Sequence, residues 1–110
     1  MKLAIIGSRE ASAIDIASHL TFAPDMIISG GARGIDTYAR EYAIRNNIPL
    51  KEYLPEYGRF GRKAPLFRDM QIVDNSDFIL AFWNGRSRGT KFTLDYAERC
   101  GVPFKIIDIP

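Results

Sequence analysis

Three short apolar runs along the chain each lead into a small or glycine-rich segment. They span Leu3 to Ile6, Met26 to Ile28 and Phe78 to Phe82. Continuous apolar runs of this length are typical of strands that are buried on both faces of a parallel sheet. Two further runs, Leu50 to Leu54 and Phe104 to Ile109, mix charged with apolar residues, and this mixture predicts strands at the edges of the sheet.

Between the strands, apolar residues recur at the spacing of an amphipathic helix. Pro65 suits a first helical turn and Gly101 suits a helix C-terminus, which supports this interpretation. The alternation of strands and helices predicts a single α/β domain over residues 1–110, with a parallel sheet and helices on both faces. Right-handed crossovers in a doubly wound layout predict the strand order 3-2-1-4-5. The apolar positions that mark the four predicted helices run from Ala13 to Leu20, from Ile35 to Ala43, from Leu66 to Val73 and from Thr93 to Cys100.

The composition excludes several classes of protein. The formal net charge is +2, and the 110 residues include one histidine, His19, and one cysteine, Cys100. A lone cysteine cannot form an intramolecular disulfide, and one His and one Cys far apart in sequence support neither a metal site nor a Cys–His nucleophile pair. No metal or other cofactor is predicted. The apolar runs are too short for a signal peptide or a membrane span, so we expect a cytoplasmic protein.

The segments that follow the three apolar runs are candidates for a ligand site. The carboxyl ends of parallel strands meet at one edge of a sheet, and ligands bind there at the switch between strands 1 and 4. The second and third segments each open a helix, where free N–H groups and a glycine backbone can approach an anion. Trp83 could stack on a base or simply cover the core. The residues expected at the ligand from these segments are Gly7, Ser8, Arg9, Ser29, Gly30, Gly31, Arg33, Gly34, Asp36, Trp83, Gly85, Ser87, Gly89 and Thr90.

Neither glycine-rich segment is a standard nucleotide fingerprint. The sequence contains no G-x-x-x-x-G-K-[ST] motif, which disfavours a P-loop kinase or ATPase. The first strand is followed by Gly-Ser-Arg-Glu rather than by G-x-G-x-x-G, and the second strand ends in Ser29 rather than in an acidic residue for a ribose. A standard NAD dehydrogenase is therefore disfavoured as well.

Three motifs together resemble the SLOG superfamily: Gly7-Ser8-Arg9, the stretch SGGARGID at positions 29–36, and Gly89-Thr90. The stretch SGGARGID is similar to the SG-ARGID motif of the DNA-processing protein A branch. The C-terminal half resembles the Lonely Guy branch, the cytokinin riboside monophosphate phosphoribohydrolases, in Arg68-Asp69-Met70 and in the loop from Asn84 to Thr90. The whole pattern is most similar to small stand-alone SLOG proteins of the YspA/YpsA-like kind.

The resemblance implies a Rossmann-like fold and the binding of nucleotide-related ligands, such as nucleoside monophosphates, ADP-ribose or NAD derivatives. Arg68 matches the active-site arginine of the Lonely Guy branch and is therefore expected at the ligand. The glutamate of that branch's G-T-x-x-E motif falls on Thr93. In an enzyme, Asp36, Asp69 or Asp95 would have to replace it. The candidate catalytic residues are Arg68, Asp69 and Asp36.

Three functions remain open from the sequence. The leading hypothesis is the binding or sensing of a nucleotide or nucleotide-derived ligand, because the glycine loops are present while the catalytic glutamate is not. The second is a phosphoribohydrolase or related N-glycosidase that acts on nucleoside monophosphates. The third is a single-stranded nucleic-acid-binding module, with Trp83, Tyr57 and Phe60 as stacking residues beside arginines. By analogy with Lonely Guy relatives, we also expect a homodimer.

Overall fold

The computed structural model describes residues 1–12 and 14–110 and contains one parallel sheet of five strands. The order β3-β2-β1-β4-β5 confirms the predicted strand order, and the two mixed-polarity strands lie at the edges as expected. The strands are β1 (Lys2–Gly7), β2 (Met26–Ser29), β3 (Leu50–Glu52), β4 (Phe78–Trp83) and β5 (Phe104–Asp108).

Three of the four predicted helices are present, together with a short one that precedes the third. The predicted terminal signals hold, because Pro65 lies in the first turn of its helix and Gly101 ends the last helix in the left-handed conformation, with φ of 74°. The helices are α1 (Ile35–Arg45), α2 (Tyr57–Phe60), α3 (Ala64–Asp74) and α4 (Arg88–Cys100).

The helices cover both faces of the sheet because alternate strand residues point to opposite sides. On one face, Leu3 and Ile5 of β1 pack with Ile35 of α1. On the other face, Ala4 and Ile6 pack with the inner sides of α3 and α4. This arrangement brings the amino ends of α1 and α4 to the carboxyl edge of the sheet.

The prediction of a helix from Ala13 to Leu20 is wrong for the part of that segment that the structure describes. Ala13 lies outside the described residues, and the regular structure beyond it is a 3-10 turn, Ala17–His19. The Ser18 hydroxyl donates to the carbonyl three residues earlier at 2.9 Å. Serine and aspartate compete with helical hydrogen bonds through local bonds of this kind. Ile16 is nevertheless buried against the sheet, so the apolar spacing indicated burial correctly but not the backbone conformation.

Leu66 and Cys100, which fall at apolar positions of two predicted helices, are exposed rather than buried. Leu66 is 39% exposed, and Cys100 is exposed at the end of α4. In α3 a charged residue, Arg68, is buried. No helix in the described residues is long and apolar enough to span a membrane.

Candidate functional site

A cavity of about 440 Å³ opens at the carboxyl edge of the sheet. Four segments contribute to its walls: the loop after β1, the loop between β2 and α1, the amino-terminal part of α3, and the segment from β4 into α4. The cavity therefore lies where the strand order reverses between β1 and β4, the position at which open α/β sheets bind ligands.

Most of the predicted site residues meet at this cavity, and six do not line it. Two of the six, Ser29 and Trp83, are the last residues of β2 and β4, and the others lie in the loops that follow these strands. The Trp83 indole N–H donates to the Ser87 carbonyl at 3.0 Å. The predicted residues in the cavity wall are Gly7, Ser8, Arg9, Gly30, Asp36, Arg68, Asp69, Ser87, Gly89 and Thr90. The predicted residues outside the wall are Ser29, Gly31, Arg33, Gly34, Trp83 and Gly85.

Two glycines allow the loops to approach one another closely. A Cβ atom on Gly7 would lie 2.4 Å from the Phe82 carbonyl oxygen, and one on Gly34 would lie 2.4 Å from the Arg9 carbonyl oxygen. Ser8, between these contacts, is 2% exposed and donates its N–H to the Phe82 carbonyl at 3.1 Å. The loop after β1 is thus fixed between β4 and α1 by backbone packing.

Arg68 connects α3 to the loop after β2. Its side chain is 8% exposed; Nη1 donates to the Gly30 carbonyl at 2.8 Å and Nε donates to Asp69 Oδ1 at 2.9 Å. A Cβ at position 30 would lie 2.7 Å from Nη1, so a side chain there would displace the guanidinium from this position. A buried guanidinium is tolerated because these partners compensate for its lost hydration.

Asp36, in the first turn of α1, organises the turn that leads into that helix. Its Oδ2 accepts the N–H of Ala32 at 3.0 Å, and the Ser29 hydroxyl and the Gly30 backbone are further hydrogen-bond partners. Burial raises the pKa of Asp36, while these bonds and the charge of Arg68 oppose the rise. The carboxylate is therefore largely occupied by protein donors.

Asp69 is the second carboxylate beside Arg68, and its side chain is 13% exposed. Burial raises the pKa of Asp69 to about 6, although the charge and the hydrogen bond of Arg68 oppose the rise. The negative charge of Asp36 raises the pKa further, and the nearby Thr93 hydroxyl lowers it. The Thr93 hydroxyl has a single proton, and it donates that proton to the Gly89 carbonyl, with an oxygen–oxygen distance of 2.9 Å. Asp69 therefore keeps acceptor capacity toward the cavity.

The titration of Asp69 predicts a pH-dependent difference in stability between the wild type and Asp69→Asn. The pKa of Asp69 is about 6 in the folded state against 3.8 for an unperturbed aspartate, so the folded state holds the proton more tightly. This contribution is fully present below the lower value and is lost as the pH rises through about 6. We expect the free energy of unfolding of the wild type, relative to the variant, to fall by about 2 kcal/mol between about pH 4.5 and about pH 7. Urea unfolding at several pH values measures this difference, and a constant difference would contradict the burial argument.

The amino terminus of α4 forms another part of the cavity wall. The Asn84 side-chain oxygen accepts the N–H groups of Arg86 and Ser87 at 2.8 and 3.0 Å and shapes the turn before the helix. Ser87 Oγ accepts the Thr90 N–H at 3.4 Å and lies 3.1 Å from Thr90 Oγ1. Arg86 is exposed, and none of the carboxylates in the described chain forms an ion pair with it. Helix N-termini of this kind attract anions.

Four polar cavity residues lie outside the set predicted from sequence: Glu10, Asn84, Arg86 and Thr93. Asn84 had a usable signal, because asparagine before glycine commonly accepts backbone N–H groups in a turn. Arg86 had a signal too, because a guanidinium in a glycine-rich loop before a helix is suited to an anion, whereas Glu10 had none beyond its position. Among the described residues, no group of three His, Cys, Asp or Glu side chains is arranged to hold a metal ion.

Comparison with known proteins shows the family to which this chain belongs. Residues 1–51 match the family model of DNA recombination-mediator protein A. The Gene 61 protein of Mycobacterium phage D29 is 32% identical over 84 residues, which cover 71% of this chain and 67% of the phage protein. This chain belongs to the SLOG superfamily. No solved structure matches the chain significantly.

The match to the model of DNA recombination-mediator protein A ends within β3, so it covers the loop after β1 and the glycine-rich loop before α1. The remainder of this SLOG domain, from α2 onward, supplies Arg68, Asp69 and the amino end of α4. The cavity is therefore built from the part that the family model matches and the part beyond it.

Proposed function

We propose that the cavity binds a nucleotide or nucleotide-derived ligand, such as a nucleoside monophosphate, ADP-ribose or an NAD derivative. The observation that carries the proposal is that one cavity joins an anion-attracting end at α4 to a carboxylate-rich end at Asp69. The volume of about 440 Å³ lies within the range of about 300–1,000 Å³ that is usual for small-molecule sites.

The amino end of α4 provides the groups that a phosphate requires. The first-turn N–H groups of a helix lack partners within the helix, and the helix dipole adds a partial positive charge. The hydroxyls of Ser87 and Thr90 lie beside them, and Gly89 presents no side chain that would obstruct an approaching oxygen. Exposed Arg86 adds a guanidinium, which is suited to a phosphate.

The exposed cations of the cavity wall are Arg86 at the α4 end and Arg9 in the loop after β1, with Glu10 beside Arg9. Asp36 and Asp69 flank a single buried arginine. If both carboxylates are ionised, the buried group has a net negative charge. A ligand with an anionic group at one end and hydrogen-bond donors at the other matches this distribution, and nucleotides have that form.

Replacement of Gly89 by leucine tests the position of the phosphate. A Cβ at Gly89 meets no atom within 4 Å, so we expect the variant to fold while its side chain fills the anion-attracting end. We expect affinity for the tightest ligand among AMP, GMP, CMP, UMP and ADP-ribose to fall at least about tenfold, as expected for losing one or more hydrogen bonds to a charged group. Isothermal titration calorimetry measures this affinity.

Gly58→Leu is the matched control, because Gly58 is also helical, also has open space around it, and lies outside the cavity wall. Equal affinity in the two variants would place the phosphate elsewhere. Tight, strongly salt-dependent binding of single-stranded oligonucleotides, with no binding of any mononucleotide, would replace the proposal with a nucleic-acid-binding function.

A second candidate function is hydrolysis of the N-glycosidic bond of a nucleoside monophosphate. It is favoured by the contact between Asp69 and Thr93, because the Lonely Guy enzymes carry their glutamate at the position of Thr93. A carboxylate supplied from α3 could then stabilise positive charge on the ribose in the transition state. Chromatographic detection of free base after incubation with AMP distinguishes the two functions: the binding proposal expects none, and release that is lost in Asp69→Asn would favour the hydrolase.

A further inference from the structure

The two carboxylates beside Arg68 differ in what they can offer a ligand. Asp36 already accepts hydrogen bonds from the turn between β2 and α1. Asp69 accepts one from Arg68, and its remaining polar neighbour, Thr93, directs its hydroxyl proton to the Gly89 carbonyl. In this cluster, Asp69 is therefore the carboxylate with acceptor capacity that faces the cavity.

The position of Asp69 relative to α4 indicates which part of a nucleotide it meets. Thr93, its neighbour, follows Gly89 by four residues, which is about 6 Å along the helix axis. A phosphate at the amino end of α4 thus lies about one helical turn from Asp69. The sugar is directly attached to the phosphate in a nucleotide, whereas the exocyclic groups of the base lie beyond the sugar.

We infer that Asp69 accepts a hydrogen bond from the ribose 2′-hydroxyl and makes the cavity selective for ribonucleotides over 2′-deoxyribonucleotides. This inference rests on the proposed function and specifies its substrate class. A hydroxyl that donates to a carboxylate forms a charge-assisted bond. A 2′-deoxyribose lacks that donor, so the buried Asp69 carboxylate would have no hydrogen-bond donor on the ligand. Sites built to bind a hydroxyl discriminate strongly against analogues that lack it.

The experiment compares the affinities of AMP, GMP and CMP with those of their 2′-deoxy counterparts at pH 7.5 and fixed salt. In the wild type we expect each ribonucleotide that binds to do so about ten- to a hundredfold more tightly than its deoxy form. In Asp69→Ala we expect this ratio to approach one. Asp69→Asn preserves the shape of the side chain and should give an intermediate ratio, and it serves as the test if the alanine variant fails to fold.

Asp95→Asn is the matched control, because Asp95 lies on α4, pairs with Lys91 on the surface and is 54% exposed outside the cavity wall. It should leave the ratio unchanged. Equal affinities for ribo- and deoxyribonucleotides in the wild type would overturn the inference while leaving the proposed function intact. Binding of no mononucleotide would overturn the proposed function, and the inference with it.

Discussion

Replacing Gly34 by alanine is expected to lower the free energy of unfolding by about 3–5 kcal/mol, because two separate costs combine. The residue has φ of 73° and ψ of −126°, a conformation that residues with a side chain rarely adopt. The added Cβ would also lie 2.4 Å from the Arg9 carbonyl oxygen and 2.6 Å from that of Ser8. Neither contact can be relieved by a side-chain rotation, since both involve backbone atoms.

Gly85→Ala separates these two costs. Gly85 also has positive φ, 79°, but a Cβ there meets no atom within 4 Å. We therefore expect it to lose only the conformational part, about 1 kcal/mol. Urea unfolding of both variants at pH 7 measures the difference. Similar losses would show that the close packing of the loop after β1 against α1 contributes little.

Arg68→Met is expected to have a comparably large effect and to abolish ligand binding in the same variant. The substitution keeps much of the apolar stem but removes the donor to the Gly30 carbonyl and the positive charge beside Asp36 and Asp69. Removing one partner of a buried ion pair typically costs about 3–5 kcal/mol, because the remaining charge is left uncompensated. Chemical denaturation and calorimetric titration with AMP report the two losses.

Arg40→Met is the control for the Arg68 variant. Arg40 also donates two hydrogen bonds to a carboxylate, Glu52, but the two side chains are 41% and 25% exposed. Exposed pairs contribute at most about 1 kcal/mol, so this variant should be nearly as stable as the wild type. A small effect of Arg68→Met, similar to that of Arg40→Met, would contradict the role assigned to the buried cluster.

The strand order and the main helices could be predicted because each depends on local patterns. The runs at Leu3 to Ile6 and Phe78 to Phe82 are apolar at every position, and a strand covered on both faces requires this. The segment that contains Ile16 has helical spacing too, yet it forms only a 3-10 turn in its described part. The spacing of apolar residues predicts which residues are buried, but it does not distinguish a helix from an irregular segment of similar length.

The cavity could be predicted only in part, for a different reason. The loops after β1, β2 and β4 meet because parallel strands place their carboxyl ends together, and this follows from topology. The contact of Arg68 with the Gly30 carbonyl joins residues 38 positions apart and depends on the exact placement of α3. No local pattern contains that information. Gly31 and Gly34 were expected at the ligand, and the structure places both outside the cavity wall, in the turn that leads into α1.

The bond between Arg68 and the Gly30 carbonyl also constrains how this protein can change over time. Any side chain at position 30 would press on the guanidinium, and any shorter residue at position 68 would leave a buried carbonyl and two carboxylates without their cation. Either substitution alone disrupts this bond, so we expect the two positions to vary together. Among relatives of this chain, we therefore expect glycine at position 30 wherever arginine occupies position 68, a coevolving pair that links the first half of the fold to the second.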